Sequence, residues 1–143
     1  MKHVLPLILA VPLFTPPAQA EASRQFVELP EMMREHMLHN MRDHLLALQT
    51  ITRDLANGEY DAAADVAEQR LGMSSLESHG ASHMAKFMPS GMQAAGTAMH
   101  HAASRFAVAA RNAEIEGGLG KAFGALSEVM AQCVACHTGY RIH

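Results

Sequence analysis

The residues with the clearest chemical potential form the pentapeptide Cys133-Val134-Ala135-Cys136-His137, six residues from the C-terminus. Residues three and four positions apart share one face of an α-helix, so a helix here would place two thiols and an imidazole side by side. Two such thiols can each bond one vinyl group of a porphyrin, and the imidazole can ligate its iron. The pattern therefore predicts a c-type haem attachment site, with Cys133 and Cys136 as thioether anchors and His137 as proximal ligand.

Three other interpretations of the two cysteines are weaker. A disulfide across C-x-x-C would close a very small loop and contribute little stability. A thioredoxin-like redox pair is found in a βαβ context, which this sequence does not indicate. A structural zinc site needs more ligands than this short cluster supplies, and the chain has only these two cysteines. The sequence therefore favours one covalent haem c.

The first twenty residues have the pattern of a secretory signal peptide. Lys2 supplies the positive start, residues 4–14 form a short apolar run, and Ala18-Gln19-Ala20 fits a cleavage site. The run is too short to span a bilayer. We expect cleavage after Ala20 and export to the periplasm of a single domain, residues 21–143, that does not span the membrane. Haem c is attached outside the cytoplasmic membrane in bacteria, so the two predictions agree.

The charge balance and the motifs exclude several classes of function. The formal net charge is −3 for the whole chain and −4 once Lys2 is removed, with no long basic run. This mild acidity argues against nucleic-acid binding. The sequence contains no H-E-x-x-H motif and no Gly-rich phosphate loop, so we do not expect an enzyme.

Steps of three and four between apolar residues predict helices throughout the mature chain. We expect a first long helix over 30–57, a second over 61–71, a short one to about residue 87, a third over 90–113 and a last from 119 to about 140. The expected buried stripes are Leu38, Met41, Leu45, Leu48, Thr52, Leu55 in the first helix; Met92, Ala95, Met99, Ala102, Phe106, Ala109, Ala113 in the third; and Leu119, Phe123, Leu126, Met130, Cys133, His137, Tyr140 in the last. Nothing in the sequence indicates a strand. The predicted fold is all-α, an antiparallel four-helix bundle with the haem-attachment motif on the C-terminal helix.

The sequence resembles class II cytochrome c, the group that contains cytochrome c prime and its low-spin relatives. The resemblance lies in the C-x-x-C-H motif, its continuation to Arg141, and the turn Gly58-Glu59-Tyr60-Asp61 after the first helix. It implies a mono-haem electron carrier with redox partner proteins in the periplasm, and Arg141 near a haem propionate. Relatives are often dimers, so a homodimer is a further expectation.

The resemblance also places the distal residue near positions 41–42. Arg42 is the nominal match, but Met41 lies on the expected buried stripe, so we choose Met41 as sixth iron ligand, with Met37 in reserve. A bound thioether gives six-coordinate iron with a raised reduction potential, as in Met/His cytochromes. An empty sixth position would instead give a five-coordinate protein that binds small gases such as NO.

The segment 72–101 is dense in histidine and methionine. His79 and His83 are four residues apart, a helical spacing that can chelate a divalent metal. Met84, Met88 and Met92 repeat the same step, and thioethers are soft ligands suited to Cu(I). A second metal site at His79 and His83, in a copper-handling module that also carries haem, is the other alternative. Methionines at this spacing are also ordinary core filler.

Overall fold

The computed structural model describes residues 23–116 and 118–143, and most of these residues are helical. The all-α prediction is confirmed at this level. The helices are α1 Glu31–Ala56, α2 Tyr60–Arg70, α3 Ala81–Met84, α4 Ser90–Glu116 and α5 Leu119–Gly139, and 3₁₀ turns occupy Met73–Ser75 and Ala85–Phe87. Two strands of two residues are β1 Gln25–Phe26 and β2 Tyr140–Arg141. The predicted signal peptide, residues 1–20, lies outside the described residues, so its cleavage stays a prediction.

The four long helices share one hydrophobic core that is built largely from alanine. Small side chains let helix backbones approach closely, and a few larger residues such as Ile51 and Phe106 fill the remaining space at 0% exposure. The buried members of this first core cluster are Ala47, Ile51, Leu55, Ala63, Ala64, Ala67, Leu71, Met99, Ala102, Ala103, Phe106, Ala107, Ala110, Ala113, Ala122, Leu126 and Val129. In the part of the chain that is described, no helix is long and apolar enough to cross a membrane.

Helix α1 runs without a glycine or proline from Glu31 to Ala56, as expected, and ends where Gly58 takes a left-handed φ of 76°. Its buried stripe differs from the prediction by a rotation of about one residue. The predicted Leu45 is 70% exposed, and an exposed Leu46 lies next to it. The residues that are buried in α1 are Asn40, His44, Ala47, Ile51, Asp54 and Leu55. A titratable imidazole therefore lies where the sequence suggested an aliphatic side chain.

Helix α4 confirms most of its predicted stripe, since Met92, Met99, Ala102, Phe106 and Ala113 are buried, whereas Ala95 and Ala109 are half-buried.

Helix α5 confirms its predicted stripe only in part. Leu126 is buried and Cys133 is half-buried, but Phe123 and Met130 are more than 40% exposed. The buried residues of this helix are Ala122, Leu126 and Val129. His137 is exposed, which corrects the expectation that it belongs to a closed buried stripe.

The chain before α1 is part of the fold, which the sequence did not indicate. Strands β1 and β2 pair in parallel, and the Val27 N–H donates to the Arg141 carbonyl at 2.8 Å. Val27 and Leu29 are buried in a second core cluster with Met84 and Met92. Residues 25–29 therefore anchor the start of the described chain to the segment that follows the C-x-x-C-H motif.

The predicted short helix before residue 87 is not continuous. At its start, the Ser74 hydroxyl donates to the Glu68 carboxylate at 2.6 Å. Turns follow the 3₁₀ turn, and Gly80 takes a left-handed φ of 60° before α3 begins. Because the left-handed conformation of Gly80 interrupts the helical backbone between them, His79 and His83 do not lie on one helix.

Candidate functional site

A cavity of about 270 Å³ is lined by residues from both core clusters. It is partly open to solvent, and α1, α4, α5 and the segment before α4 all contribute to its walls. Its lining is Arg24, Met37, Leu38, Asn40, Met41, His44, His79, Ala81, Met84, Met88, Met92, Ala95, Gly96, Met99, His100, Gln132, Cys133, Cys136, His137, Tyr140, Arg141, Ile142 and His143. Most of this surface is apolar, with polar groups at a few places, as in many cofactor pockets.

Helix α5 brings Cys133, Cys136 and His137 together in one wall of the cavity. Both thiols are half-buried and neither is joined in a disulfide. Burial raises the pKa of both, and the neighbouring Cys133 raises that of Cys136 further, so both are neutral thiols at pH 7. The Cys133 Sγ donates weakly to the Val129 carbonyl at 3.6 Å. Two thiols and an imidazole therefore face one common space.

Helix α1 contributes Met37, Met41 and His44 to the same cavity. These residues follow one another at steps of four and three, so they occupy one helical face. Arg42 is exposed and does not line the cavity. The geometry therefore agrees with choosing Met41 over Arg42, and it places Met37 one turn away.

Methionine is the commonest side chain in the lining. Met84, Met88, Met92 and Met99 join the two methionines of α1, so six thioethers face the space. Met84, Met92 and Met99 are at least 93% buried. Such flexible side chains adapt to the shape of a bulky apolar group. The lining thus offers soft, uncharged contacts to whatever fills the cavity.

Two arginines, Arg24 and Arg141, are among the lining residues. The guanidinium of Arg141 stacks over the Phe26 ring, 5.0 Å from its centroid, and its Nη1 donates to the His143 carbonyl at 3.2 Å. Strand pairing of β1 with β2 fixes the backbone that carries this side chain. Arg141 is therefore held beside the cavity, where an anionic group of a bound cofactor could be recognised.

Three histidines from distant parts of the sequence meet at the same cavity: His44 of α1, His79 of the turn, and His100 of α4. Their ring centroids are separated by 4.8 Å (His44–His79), 5.5 Å (His79–His100) and 6.5 Å (His44–His100). Of these three residues, only His79 was predicted from the sequence as a metal ligand. His44 and His100 lie 35 and 21 positions away from it, and such separations give no periodic signal. We call these three residues the histidine cluster.

Hydrogen bonding differs among the members of the histidine cluster. His100 Nδ1 lies 2.8 Å from the Leu71 carbonyl, which can only accept, so this nitrogen donates. His79 Nδ1 lies 3.4 Å from the Ser75 hydroxyl. The Nε2 atom of His44 is buried and has no hydrogen-bond partner among the described residues. A buried nitrogen without a hydrogen-bond partner costs about 1–3 kcal/mol of folding free energy, so a ligand that bound this atom would offset that cost.

Burial disfavours the charged form of two members of the histidine cluster. Burial lowers the pKa of His44 to about 4, and the nearby His79 and His100 lower it further than burial alone would. Burial, then His100, also lowers the pKa of His79. A neutral imidazole keeps a lone pair on one nitrogen, which is the form that binds metals.

The second metal site predicted at His79 and His83 is not brought together on one helix face. His79 points to His44 and His100, whereas His83 is exposed on α3. No three His, Cys, Asp or Glu side chains within residues 23–116 and 118–143 form a ready-made metal site.

No family model matches this chain, and no curated protein and no solved structure matches it significantly.

The residues present fit a covalently bound haem. The cavity is mostly apolar, and both thiols, the imidazole of the motif and two arginines are among its lining residues. An apolar lining with a few polar groups is typical of cofactor pockets.

Proposed function

We propose that this protein is a periplasmic mono-haem c-type cytochrome that acts as an electron carrier. One observation carries the proposal: Cys133, Cys136 and His137 share an apolar cavity with Met41. Thioether anchors, a proximal imidazole and a distal thioether are the groups a low-spin c-type haem uses. The C-x-x-C-H motif predicted the first three, and the cavity adds a space for the macrocycle.

Attachment follows from the chemistry of the two thiols. Each S–H adds across one vinyl C=C bond, sulfur bonding to one carbon and hydrogen to the other, so nothing leaves. Cys133 and Cys136 are free and face the cavity, as this addition requires. The mature protein should therefore weigh as much as the chain from Glu21 plus one haem.

The remaining residues position the group and tune it. Bound haem supplies a one-electron couple between ferric and ferrous iron. His137 would hold the iron through an imidazole nitrogen, and Met41 is proposed as the sixth ligand. The methionine-lined walls surround that space with mostly apolar groups, and a thioether ligand raises the reduction potential. Arg141 is proposed to bind a propionate, since it lies in the lining and its position is fixed by stacking on Phe26.

The proposal also covers the arrangement of the helices, the location of the protein and its partners. We propose that α1, α2, α4 and α5 form the antiparallel four-helix bundle of class II cytochrome c. Support comes from the single core to which all four contribute. Export to the periplasm, a redox partner protein there and a homodimer complete the proposal.

The test begins with the full chain, including residues 1–20, expressed in a bacterium that can mature haem c. The exported protein is analysed by intact mass and by optical spectra in the oxidised and reduced states. We expect the mass of one haem, a sharp ferrous α-band and a reversible one-electron couple in voltammetry. The matched control changes Cys133→Ser and Cys136→Ser, which keeps size and polarity but should yield the bare polypeptide mass.

Each outcome of this experiment is informative. A colourless wild-type protein of polypeptide mass would overturn the haem proposal. A haem-loaded protein with a broad high-spin ferrous spectrum would remove Met41 as ligand and redirect the function to gas binding. A sharp α-band without a reversible couple would contradict electron carriage.

A further inference from the structure

The histidine cluster is the feature that the proposed function leaves unused. It lines the cavity, its members come from three separate segments, and two of them, His44 and His100, are at least 91% buried. Buried polar side chains are normally hydrogen-bonded, so three imidazoles packed together with one nitrogen unpaired need a reason. Pairing with a carboxylate does not provide it for His44 and His79, because burial disfavours the charged form of both and is the largest cause of their lowered pKa.

We infer that His44, His79 and His100 bind one divalent first-row transition metal ion, in the wall of the cavity. An imidazole nitrogen lies about 2.0–2.1 Å from a bound Zn²⁺, which puts the ring centre about 3.2 Å from the metal. Two rings at a tetrahedral angle would then be about 5 Å apart, centre to centre. The separations of 4.8 Å (His44–His79) and 5.5 Å (His79–His100) lie around this value, whereas the 6.5 Å between His44 and His100 must shorten by about 1 Å on binding.

The hydrogen bonds around the cluster suit the same role. His100 donates Nδ1–H to the Leu71 carbonyl, which fixes the tautomer that leaves Nε2 with its lone pair. A metal-bound histidine commonly has such an outer partner on its other nitrogen. The unpaired Nε2 of His44 would gain the metal as its partner. No three side chains of the described residues form a ready-made metal site, so binding requires the rings to rotate toward one another. The meeting of three imidazoles from separate segments and the unpaired Nε2 of His44 carry the inference.

Three imidazoles leave one coordination position for water or for a small ligand in the cavity. Imidazole ligands suit zinc, copper and nickel. The carboxylate of Asp43, one residue before His44, acts electrostatically on both His44 and His79, and at His44 the Arg70 guanidinium that is paired with it acts in the opposite direction. This site differs from the predicted pair His79 and His83, because His83 is exposed.

The inference is tested by titrating the purified mature protein with Zn²⁺ in a calorimeter, with free thiols alkylated beforehand. Alkylation keeps any chain without haem from binding zinc through its cysteines, so failure of haem attachment does not mimic success here. We expect saturable uptake of one Zn²⁺ per chain. His79→Gln and His100→Gln should each weaken binding by at least about tenfold.

Two matched controls separate the cluster from ordinary surface histidines. His83→Gln is four residues from His79, and His101→Gln is adjacent to His100, and both side chains are exposed. These controls should bind zinc like the wild type. Absence of saturable 1:1 binding, or equal loss in the control variants, would overturn the inference.

A measurement on the wild type avoids any dependence on variants that fold poorly. Long-range ¹H–¹⁵N spectra of the histidine rings follow each imidazole directly. Zinc should shift the ring signals of the histidine cluster and leave those of His83 and His101 in place. Shifts confined to exposed histidines would contradict the inference.

Discussion

The guanidinium of Arg70, at the end of α2, binds the carboxylate of Asp43 in the middle of α1. Its Nε donates to one carboxylate oxygen at 3.2 Å, and its Nη2 contacts the other oxygen and also donates to the Asp43 carbonyl at 3.3 Å. A two-pronged contact of this kind is geometrically specific. It fixes α2 against α1 one residue before His44, so it helps to place the histidine cluster.

This ion pair predicts a modest, pH-dependent contribution to stability. The hydrogen bond from Arg70 is the main cause of the lowered pKa of Asp43, whose ordinary value is 3.8. A carboxyl with a lowered folded pKa stabilises the fold above its unfolded value, and the effect is lost as pH falls below about 4. Because both side chains are about one-third exposed, Asp43→Asn should cost only about 0.5–1 kcal/mol at pH 7.

Urea unfolding of wild type and Asp43→Asn at pH 7 and pH 3 measures this effect. The difference between them should shrink at the lower pH. Asp61→Asn, at an exposed position on α2, is the control and should behave like wild type at both values. A difference that stays constant with pH would contradict the ion-pair explanation.

His44 predicts a second pH dependence, in a different window. Burial, then His79 and His100, lowers its pKa from 6.5 to about 4, so the unfolded chain binds a proton that the folded protein does not. Stability is therefore full above about pH 6.5 and falls as pH drops toward 4. Integrated to about pH 4.5, the loss is about 2–3 kcal/mol.

Substituting His44→Phe should remove this dependence. The change keeps a ring of similar size and eliminates the titrating nitrogen, so the free energy of unfolding should fall less between pH 7 and 4.5 than in wild type. Unfolding is measured in the presence of a chelator, so that no metal ion binds the histidine cluster. The exposed His101→Phe is the control, and an unchanged slope in His44→Phe would contradict the prediction.

The segment before α1 should contribute to stability although it lies outside the helices. Leu29 is buried at 9% exposure in the second core cluster, beside Val27. Leu29→Ala should cost about 2–3 kcal/mol, the low end for such truncations, because a peripheral site relaxes more easily. Thermal unfolding checks this, with the exposed Glu28→Ala expected within about 0.5 kcal/mol of wild type. Equal effects of the two would show that the segment is not anchored.

The features predicted correctly from the sequence are those that depend on the spacing of residues close together in the chain. Helices α1, α4 and α5 were predicted close to their observed ends, since Gly58 and Pro89 interrupt the pattern at visible points. The C-x-x-C-H motif and Met41 were predicted to share one site, and the structure places them in one cavity. These features depend on residues a few positions apart, where helical geometry alone decides which side chains are neighbours.

Features that depend on distant contacts were missed. Leu45 was expected inside because it is aliphatic, yet it is exposed and the small Ala47 is buried in the core. The buried face of α1 is rotated by about one residue from the prediction, and close packing between helices decides which side chains face the core. Strand β1 is only two residues long and gains its order from pairing with β2, near the other end of the chain. His44 and His100 are far apart in the sequence, and their ring centroids come within 6.5 Å only in the folded chain, which no periodicity records.

Met41 provides the sharpest prediction for the proposed haem site. Met37 and Met41 both line the cavity, one turn apart on α1, so each serves as the control for the other. If Met41 is the sixth ligand, Met41→Ala should change the ferrous spectrum from a sharp α-band to a broad high-spin form and lower the reduction potential. Met37→Ala should keep the sharp band, because it removes only a wall contact. Carbon monoxide should bind rapidly to the ferrous Met41→Ala protein and slowly to the other two, since their sixth position is taken. A sharp band that survives Met41→Ala but is lost in Met37→Ala would move the ligand one turn along the helix, and survival in both variants would exclude either thioether.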